Sequence, residues 1–313
     1  MTLQQGIHFN VPSRVYFSDP APAPSLTQSI AKVIIAQSAG HAKLEHPRLT
    51  PGRQADESYD AAKAIGNAAH SLMCGRGKDI VIFEANDWNA SGGGKGAKKT
   101  LHEERDKALA EGKVPILAKH HARAAAMVKA ARGQLNDAGW KEAFRDGNGE
   151  VVLIWEEDGI WFRTMIDWLY DFEPVCCDYK SSGMSVAPHG IGRLAVEAGW
   201  DIQTAMHERA LAALDPENAG RYRFRFAAQE NYPPYALTPV ELGEHWLTMG
   251  RKKLQFAVDT WRRCMEADSW PLYPSHPQTP EYPGWQEAQW LDREISDAAR
   301  QRLPVTDDLA MAG

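Results

Sequence analysis

The alternation of apolar and polar positions is strongest near the middle of the chain, where it predicts a β-hairpin. Two apolar runs, 151–155 and 160–168, are separated by Asp158-Gly159, a pair typical of a two-residue hairpin turn. A third short stretch that predicts a strand follows and ends near residue 182. We therefore expect a β unit over residues 150–182, and it forms the centre of the predicted fold.

Helical patterns lie on both sides of this β unit. Good N-cap residues at 25–29 precede an apolar stretch, so a helix is expected to begin there. Further helices are predicted over about 57–74, 98–111, 117–136, 191–214, 238–267 and 285–300, and short strands over 80–83 and 221–229. This mixture predicts an α/β protein in which helices flank a mixed central sheet.

The sequence contains no composition break sharp enough to mark a linker. We therefore expect a single domain over residues 1–313, a size that allows a substantial core. Residues 1–24 are proline-rich and lack periodicity, so an irregular N-terminal segment is expected. Residues 268–313 are rich in proline and tryptophan and are expected to wrap the surface before the last helix.

Composition narrows the classes of protein that the chain can represent. Apolar residues make up 43% and charged residues 24%, and no apolar run approaches the roughly 20 residues of a membrane span. No signal pattern opens the chain, so we expect a cytoplasmic protein without a membrane partner. The net charge of −6 argues against nonspecific coating of nucleic acid, although it permits a local basic channel.

The cysteines do not form a recognisable framework. Cys74, Cys176, Cys177 and Cys264 lack any C-x-x-C spacing, and the adjacent pair cannot readily form a disulfide with each other. Neither a zinc ribbon nor an iron–sulfur cluster is supported by this spacing.

The candidate chemistry lies on the second and third predicted strands. A period of two puts Arg163 and Asp167 on one face of the second strand, and Asp178 and Lys180 on one face of the third. Two acids and a lysine on neighbouring strands suit a magnesium-dependent phosphodiesterase, because the acids hold the cation and the lysine positions water or neutralises charge. A surface salt bridge at a sheet edge is the alternative, but apolar flanks favour burial, and buried charges require partners.

The order of these residues along the chain resembles that of a known nuclease superfamily. Gly66-Asn-Ala-Ala-His70 lies on a predicted helix, Asp167 and Asp178-Tyr-Lys180 follow, and Gln203 lies on a later helix. This pattern resembles the PD-(D/E)XK nucleases, and among them the RecE-type phage exonucleases related to RecB nuclease domains. The resemblance extends over roughly residues 14–290 and implies a restriction-endonuclease-like core.

The resemblance implies a role for each of these positions. The implied metal ligands are His70, Asp167, Asp178 and the backbone carbonyl of Tyr179. Lys180 would act on the attacking water, and Gln203 would orient water, lysine or phosphate. The implied cation is Mg²⁺, for which Mn²⁺ would substitute, and no iron–sulfur cluster is implied. The sequence departs from the pattern at His207, where members of the superfamily commonly have a tyrosine, and that leaves a DNA contact there in doubt.

The resemblance also implies an activity, and several alternatives to that activity stay open. RecE-type resemblance implies digestion of double-stranded DNA from its ends, 5′ to 3′, in phage-type recombination, with a single-strand annealing recombinase as partner and a homo-oligomeric assembly. One alternative is a RecB-like or CRISPR-associated-like nuclease acting on single strands. Others are a noncatalytic DNA-binding module with the same fold and a hydrolase of a smaller phosphoester.

Several basic residues outside this set are candidate DNA contacts. They are Arg163 on the second strand, Lys95, Lys98 and Lys99 near a glycine-rich loop over 91–96, and Arg221, Arg223 and Arg225 on a later strand. The loop fails the Walker pattern for nucleotide binding. Period 2 puts the three later arginines on one strand face, which either lines a DNA channel or is simply solvated.

Overall fold

The computed structural model describes residues 1–52, 59–88 and 94–302, and the side chains of these ranges apart from 94–99 and 300–302. In chain order the strands are β1 (Gly6–His8), β2 (Ser25–Leu26), β3 (Ile80–Phe83), β4 (Val114–Leu117), β5 (Gly147–Glu157), β6 (Ile160–Tyr170), β7 (Val175–Ser182), β8 (Arg223–Glu230) and β9 (Leu237–Glu241). The α-helices are α1 (Ser13–Phe17), α2 (Gln28–Ala36), α3 (Ala39–Glu45), α4 (Ala61–Cys74), α5 (Gly94–Ala110), α6 (Ala118–Asp137), α7 (Ile191–Ala198), α8 (Trp200–Leu214), α9 (Glu244–Ala267) and α10 (Gly284–Arg302).

A mixed sheet forms the centre of the fold, as the sequence predicts. Its strand order is β1-β5-β6-β7-β8-β9, with β2 added beside β6. The β7–β8 pair and the β2–β6 pair are parallel, and the remaining pairs are antiparallel. Two further strands, β3 and β4, form a small parallel sheet of their own.

Helices cover both faces of this sheet, so its strands are buried from two sides. One apolar cluster joins α2, α8 and α9 to one face, with Trp155, Phe162 and Trp261 among its largest side chains. A second cluster joins α4 and α6 to the other face around Tyr179 and Met127. The fold is therefore the predicted α/β arrangement of a mixed sheet flanked by helices.

The predicted hairpin is confirmed, including its turn. β5 and β6 pair from Gly147↔Tyr170 to Glu157↔Ile160. Asp158 and Gly159 both have positive φ angles, 51° and 81°. Two positive φ values in succession define the turn that matches the right-handed twist of the flanking strands.

Two predicted helices begin or break differently from the sequence-based expectation. The helix expected over 191–214 is two helices, α7 and α8, because Gly199 has a left-handed φ of 71°. The helix expected from 238 begins only at Glu244, because residues from Leu237 to Glu241 form β9 instead. That strand pairs antiparallel with the preceding strand β8, and this pairing overrides the local helical pattern.

The two ends of the chain also add detail to the prediction. Within the segment expected to be irregular, β1 pairs with β5 and α1 makes a short helix. The chain divides into two compact units, Met1–Leu272 and Tyr273–Gly313. The second unit contains α10, the last helix that the sequence predicts. The expectation that the C-terminal segment wraps the surface stays a prediction. In the part of the chain that the structure describes, no helix has the length and apolar character needed to span a membrane.

Candidate active site

The site begins where two neighbouring strands separate. β6 and β7 are paired at Trp168↔Cys177 and Leu169↔Cys176, and the ladder ends there. The next residues along this pair of strands are Asp167 and Asp178. In place of a ladder bond, the backbone N–H of Tyr179 donates to Oδ2 of Asp167 at 3.2 Å. The two carboxylates therefore lie where the sheet opens.

Helix α4 brings a histidine to Asp167. The helix starts at an N-cap, Asp60, whose side chain accepts two backbone N–H groups, and it buries its small residues against the sheet. Nε2 of His70 lies 3.1 Å from Oδ2 of Asp167. Gly66, one turn earlier, allows the close approach of α4 to β7, since a Cβ at that position would lie 2.8 Å from Oγ of Ser181.

Lys180 and Gln203 hold the second carboxylate. Nζ of Lys180 lies 2.7 Å from Oδ1 of Asp178. Nε2 of Gln203 donates to the other oxygen, Oδ2. Gln203 lies near the start of α8. The interruption of the helix at Gly199 therefore sets the position from which its side chain enters the site. His70, Asp167, Asp178, Lys180 and Gln203, which the sequence predicts to form one site, are thus joined into two adjacent contact groups.

The four ionisable side chains of this site are buried or half-buried, and each one shifts the pKa of its neighbours. Burial alone would raise the pKa of Asp167, but the adjacent His70 outweighs it and holds that pKa below its usual range. Burial would lower the pKa of His70, whereas Asp167 raises it well above the ordinary value. Burial, together with repulsion from Asp167, raises the pKa of Asp178 to about 6. Two carboxylates overcome burial at Lys180 and raise its pKa.

The donor atoms of the site fit a hard divalent cation. Two carboxylates, one imidazole and the carbonyl of Tyr179 are an oxygen-rich set with one nitrogen, which suits Mg²⁺ or Mn²⁺ better than a thiophilic metal. In the described ranges no three His, Cys, Asp or Glu side chains are gathered ready to hold an ion. His70 and Lys180 pair with the two carboxylates that a cation would bind.

The structure adds Glu150, a buried acid that the sequence analysis missed. It stands opposite Asp167, between the pairs Gly149↔Trp168 and Val151↔Ile166, and has a left-handed φ of 51°. Its Oε2 accepts a hydrogen bond from Oγ of Ser13 at 3.2 Å. Burial raises its pKa, with Asp167 adding to this and His70 opposing it. A glutamate at the start of an apolar run was the one available signal.

Arg163, a predicted DNA contact, lies in the protein interior. Only 4% of its surface is exposed, and its Nη1 lies 2.8 Å from Oδ1 of Asp19 and 2.6 Å from Oγ of Ser25. Its guanidinium also lies over the ring of Tyr16, 5.5 Å from the ring centre. These are the contacts of a structural arginine, so its role toward DNA stays a prediction that the geometry does not favour.

Arg223 and Arg225 share one face of β8, and Arg221 lies two residues before the strand. Phe224 and Phe226 are buried on the other face, as alternation predicts. Arg223 pairs with Glu173 at 3.1 Å, Arg225 pairs with Glu241 at 2.8 Å, and Arg221 donates to Asn218 at 3.1 Å. The side chains of Lys95, Lys98 and Lys99 lie outside the described residues. The loop expected over 91–96 lies partly outside them too, and from Gly94 onward its backbone is helical.

Comparisons with known proteins agree with this fold. A family model described as "PDDEXK-like domain of unknown function (DUF3799)" matches residues 49–278, a range that contains the whole site. No curated protein matches the sequence. A crystal structure from Eubacterium rectale, titled "Putative exonuclease", superposes over 88% of this chain and 96% of its own, at 13% identity and a TM-score of 0.55.

A second solved structure, SSO0001, aligns less well. It covers 72% of this chain and 84% of its own at 10% identity, and its TM-score of 0.26 is too low to indicate a shared fold. Of these two structures, only the first supports a shared fold.

Proposed function

The chain belongs to the PDDEXK-like DUF3799 family, and from this premise we propose that it is a divalent-metal-dependent deoxyribonuclease. Its fold is that of the PD-(D/E)XK nucleases. One observation supports the proposal above all others, namely the pairing of Asp167 with His70 and of Asp178 with Lys180 where β6 and β7 separate. A domain that only binds DNA does not need two buried carboxylates, each paired with a basic side chain.

His70, Asp167, Asp178 and the carbonyl of Tyr179 would hold the cation. Once bound, a divalent ion supplies charge stabilisation at a phosphate oxygen and a water of lowered pKa. PD-(D/E)XK nucleases generally use such ions. We propose Mg²⁺ as the resident ion and Mn²⁺ as its substitute, on the strength of the oxygen-rich donor set.

Lys180 acts in this proposal as a fixed positive charge. Because the neighbouring carboxylates raise its pKa, its amine is protonated at neutral pH in the folded protein. A protonated ammonium 2.7 Å from Asp178 can neutralise charge that develops on the phosphate and can orient water, but it cannot accept a proton. Of the ways in which Lys180 could act on the attacking water, this leaves orientation of the water and excludes its deprotonation.

Gln203 keeps Asp178 in one orientation. Its amide donates to Oδ2, and this leaves Oδ1 directed at Lys180. A carboxylate fixed in this way loses less side-chain freedom when it binds a cation, which is the usual benefit of a preorganised site.

We further propose the DNA substrate of the enzyme and the polarity of its digestion. RecE-type resemblance supports digestion of duplex ends 5′ to 3′, cooperation with a single-strand annealing recombinase, and a homo-oligomer. Arg221, Arg223 and Arg225 are proposed as phosphate contacts together with Lys95, Lys98 and Lys99. The alternative substrate is single-stranded DNA.

The test uses linear duplex DNA labelled at either the 5′ or the 3′ end, with a circular duplex and a single strand beside it. Mg²⁺-dependent cleavage of the linear duplex alone is expected, with the 5′ label released first. Lys180→Ala should lower the rate about 100-fold or more, the range seen when one transition-state stabiliser is removed. Lys113→Ala removes an exposed lysine paired with Glu111 and is the matched control. Full activity of Lys180→Ala, or DNA binding without any cleavage, would contradict the proposal.

A further inference from the structure

His207 is a buried histidine that the proposed mechanism leaves without a role. It lies on α8, one turn after Gln203, and only 4% of its surface is exposed. Its ring makes a hydrogen bond to the backbone of Met165, yet its Nε2 is buried and has no hydrogen-bond partner among the described residues. A buried polar atom without a partner costs about 1–3 kcal/mol, so a partner is expected.

The protonation of this ring follows from its surroundings. Burial lowers the pKa of His207 to about 4, so the imidazole is neutral at neutral pH. The bond to Met165 favours a proton on the ring nitrogen that makes it, and by elimination that nitrogen is Nδ1. A neutral imidazole carries one proton, and Nε2 is therefore an acceptor.

One small cavity borders both His207 and a residue of the active site. It is bordered by His207 and Asp178 and otherwise mainly by apolar side chains, and it offers about 10 Å³ for the centre of a water molecule. That is roughly the space that one water requires. Arg225 also borders it, but its Nε is already paired with Glu241.

Asp178 contributes the second polar atom. Its Oδ1 is buried, and the Lys180 ammonium at 2.7 Å is its one partner among the described residues, which leaves room for a second donor. A carboxylate oxygen and an unprotonated imidazole nitrogen are both acceptors and cannot bond to each other. One water can donate a hydrogen to each of them, and this satisfies both atoms at once.

We propose that His207 is a positioning residue of the active site, whose Nε2 holds the Asp178 carboxylate in place through one bridging water. This inference deepens the proposed function, because it concerns a carboxylate assigned there to the cation. Gln203 and Lys180 fix Asp178 from one side, and the water fixes it from the side of α8. Groups that orient a metal ligand in this way change metal affinity by about 10- to 100-fold when removed.

The first test is a crystal structure of the wild-type protein at a resolution that shows ordered water. We expect one water within hydrogen-bond distance of both Nε2 of His207 and a carboxylate oxygen of Asp178. A dry cavity, or a direct protein partner for Nε2, would overturn the proposal.

The second test measures Mn²⁺ binding by calorimetry, without DNA. His207→Phe keeps a ring but lacks the acceptor, and it should weaken Mn²⁺ binding about tenfold. His207→Gln can present a polar atom near the position of Nε2 and should restore most of the affinity. Leu211→Ala removes a buried apolar side chain one turn further along α8 and should lower stability while leaving Mn²⁺ affinity within twofold.

These outcomes separate the inference from the proposed function. If the wild-type protein binds Mn²⁺ and cleaves no DNA, the nuclease proposal fails, and His207 is still judged by its variants. A folded His207→Phe protein that binds Mn²⁺ as tightly as the wild type refutes the positioning role, whatever the DNA assay shows. If His207→Phe does not fold, or the wild type binds no Mn²⁺, the water in the crystal structure decides.

Discussion

Replacing Arg163 with methionine tests whether this arginine supports the fold or the DNA. The side chain ends in a buried network in which Asp19 is fully enclosed and Arg163 is its closest cationic partner, at 2.8 Å. Methionine preserves most of the apolar stem but removes the charge. Asp19 then remains buried and keeps only His46 at 3.3 Å, the hydrogen bonds from Ser25, and the more distant Arg48.

The expected loss follows from what Asp19 retains. Removing one partner of a buried ion pair costs about 3–5 kcal/mol, and the hydrogen bonds from Ser25 place this case near 3 kcal/mol. For the unit Met1–Leu272, with an unfolding entropy of about 2.1 cal/mol/K per residue, that corresponds to a fall in Tm of roughly 5 °C. Adding Asp19→Asn to Arg163→Met removes the stranded charge, so the double variant should be more stable than the sum of the two single losses predicts.

The assay combines chemical denaturation with DNA binding measured by fluorescence anisotropy at several salt concentrations. Arg163→Met should lower the free energy of unfolding and leave the DNA affinity of the folded fraction unchanged. Arg193→Met, at an exposed arginine paired with Glu197, is the control and should change neither quantity measurably. An Arg163→Met protein of wild-type stability with weaker, less salt-dependent DNA binding would refute the reasoning and restore the arginine as a phosphate contact.

Three further predictions follow from the described contacts. Gly250→Ala should destabilise the protein by about 1–3 kcal/mol in urea denaturation, because its Cβ would clash with the Asp201 backbone carbonyl. Gly133→Ala meets open space and should instead stabilise α6 by up to about 1 kcal/mol. Burial would raise the pKa of Asp19, but His46, Arg163 and Ser25 lower it, so its stabilising contribution is present above roughly pH 4 and is lost as the pH falls further. Asp19→Asn should therefore flatten the fall in unfolding free energy below roughly pH 4. The same slope of unfolding free energy against pH in the wild type and the variant would contradict this. Mn²⁺ at 100 times its Kd should stabilise the wild type by about 2.7 kcal/mol and raise its Tm, and a similar shift in Asp167→Asn would contradict the ligand assignment.

The sequence predicts the parts of this molecule that depend on local pattern. Period 2 identified the hairpin and its turn, and it put Phe224 and Phe226 on the buried face of β8. The order of His70, Asp167, Asp178, Lys180 and Gln203 along the chain, through its resemblance to the PD-(D/E)XK pattern, predicted that these residues lie together. The structure brings these five residues into contact groups beside each other.

The parts that the sequence did not predict depend on how separate segments pair in the fold. β9 forms by pairing with β8, the strand just before it, and the pattern of residues 237–241 alone does not indicate that pairing. The burial of Arg163 depends on Asp19, well over a hundred residues away, so its strand face alone suggested a surface role. Glu150 is visible only once the register places it opposite Asp167.

The contacts of His70 and Lys180 have a consequence for when the protein can act. These two side chains serve as internal counter-ions for Asp167 and Asp178, so the chain can fold and persist without a free cation to neutralise its acids. An ion bound as proposed above would have to displace these side chains from the carboxylates. Under the proposed function, occupancy by the ion rather than folding would then be the step at which activity is controlled.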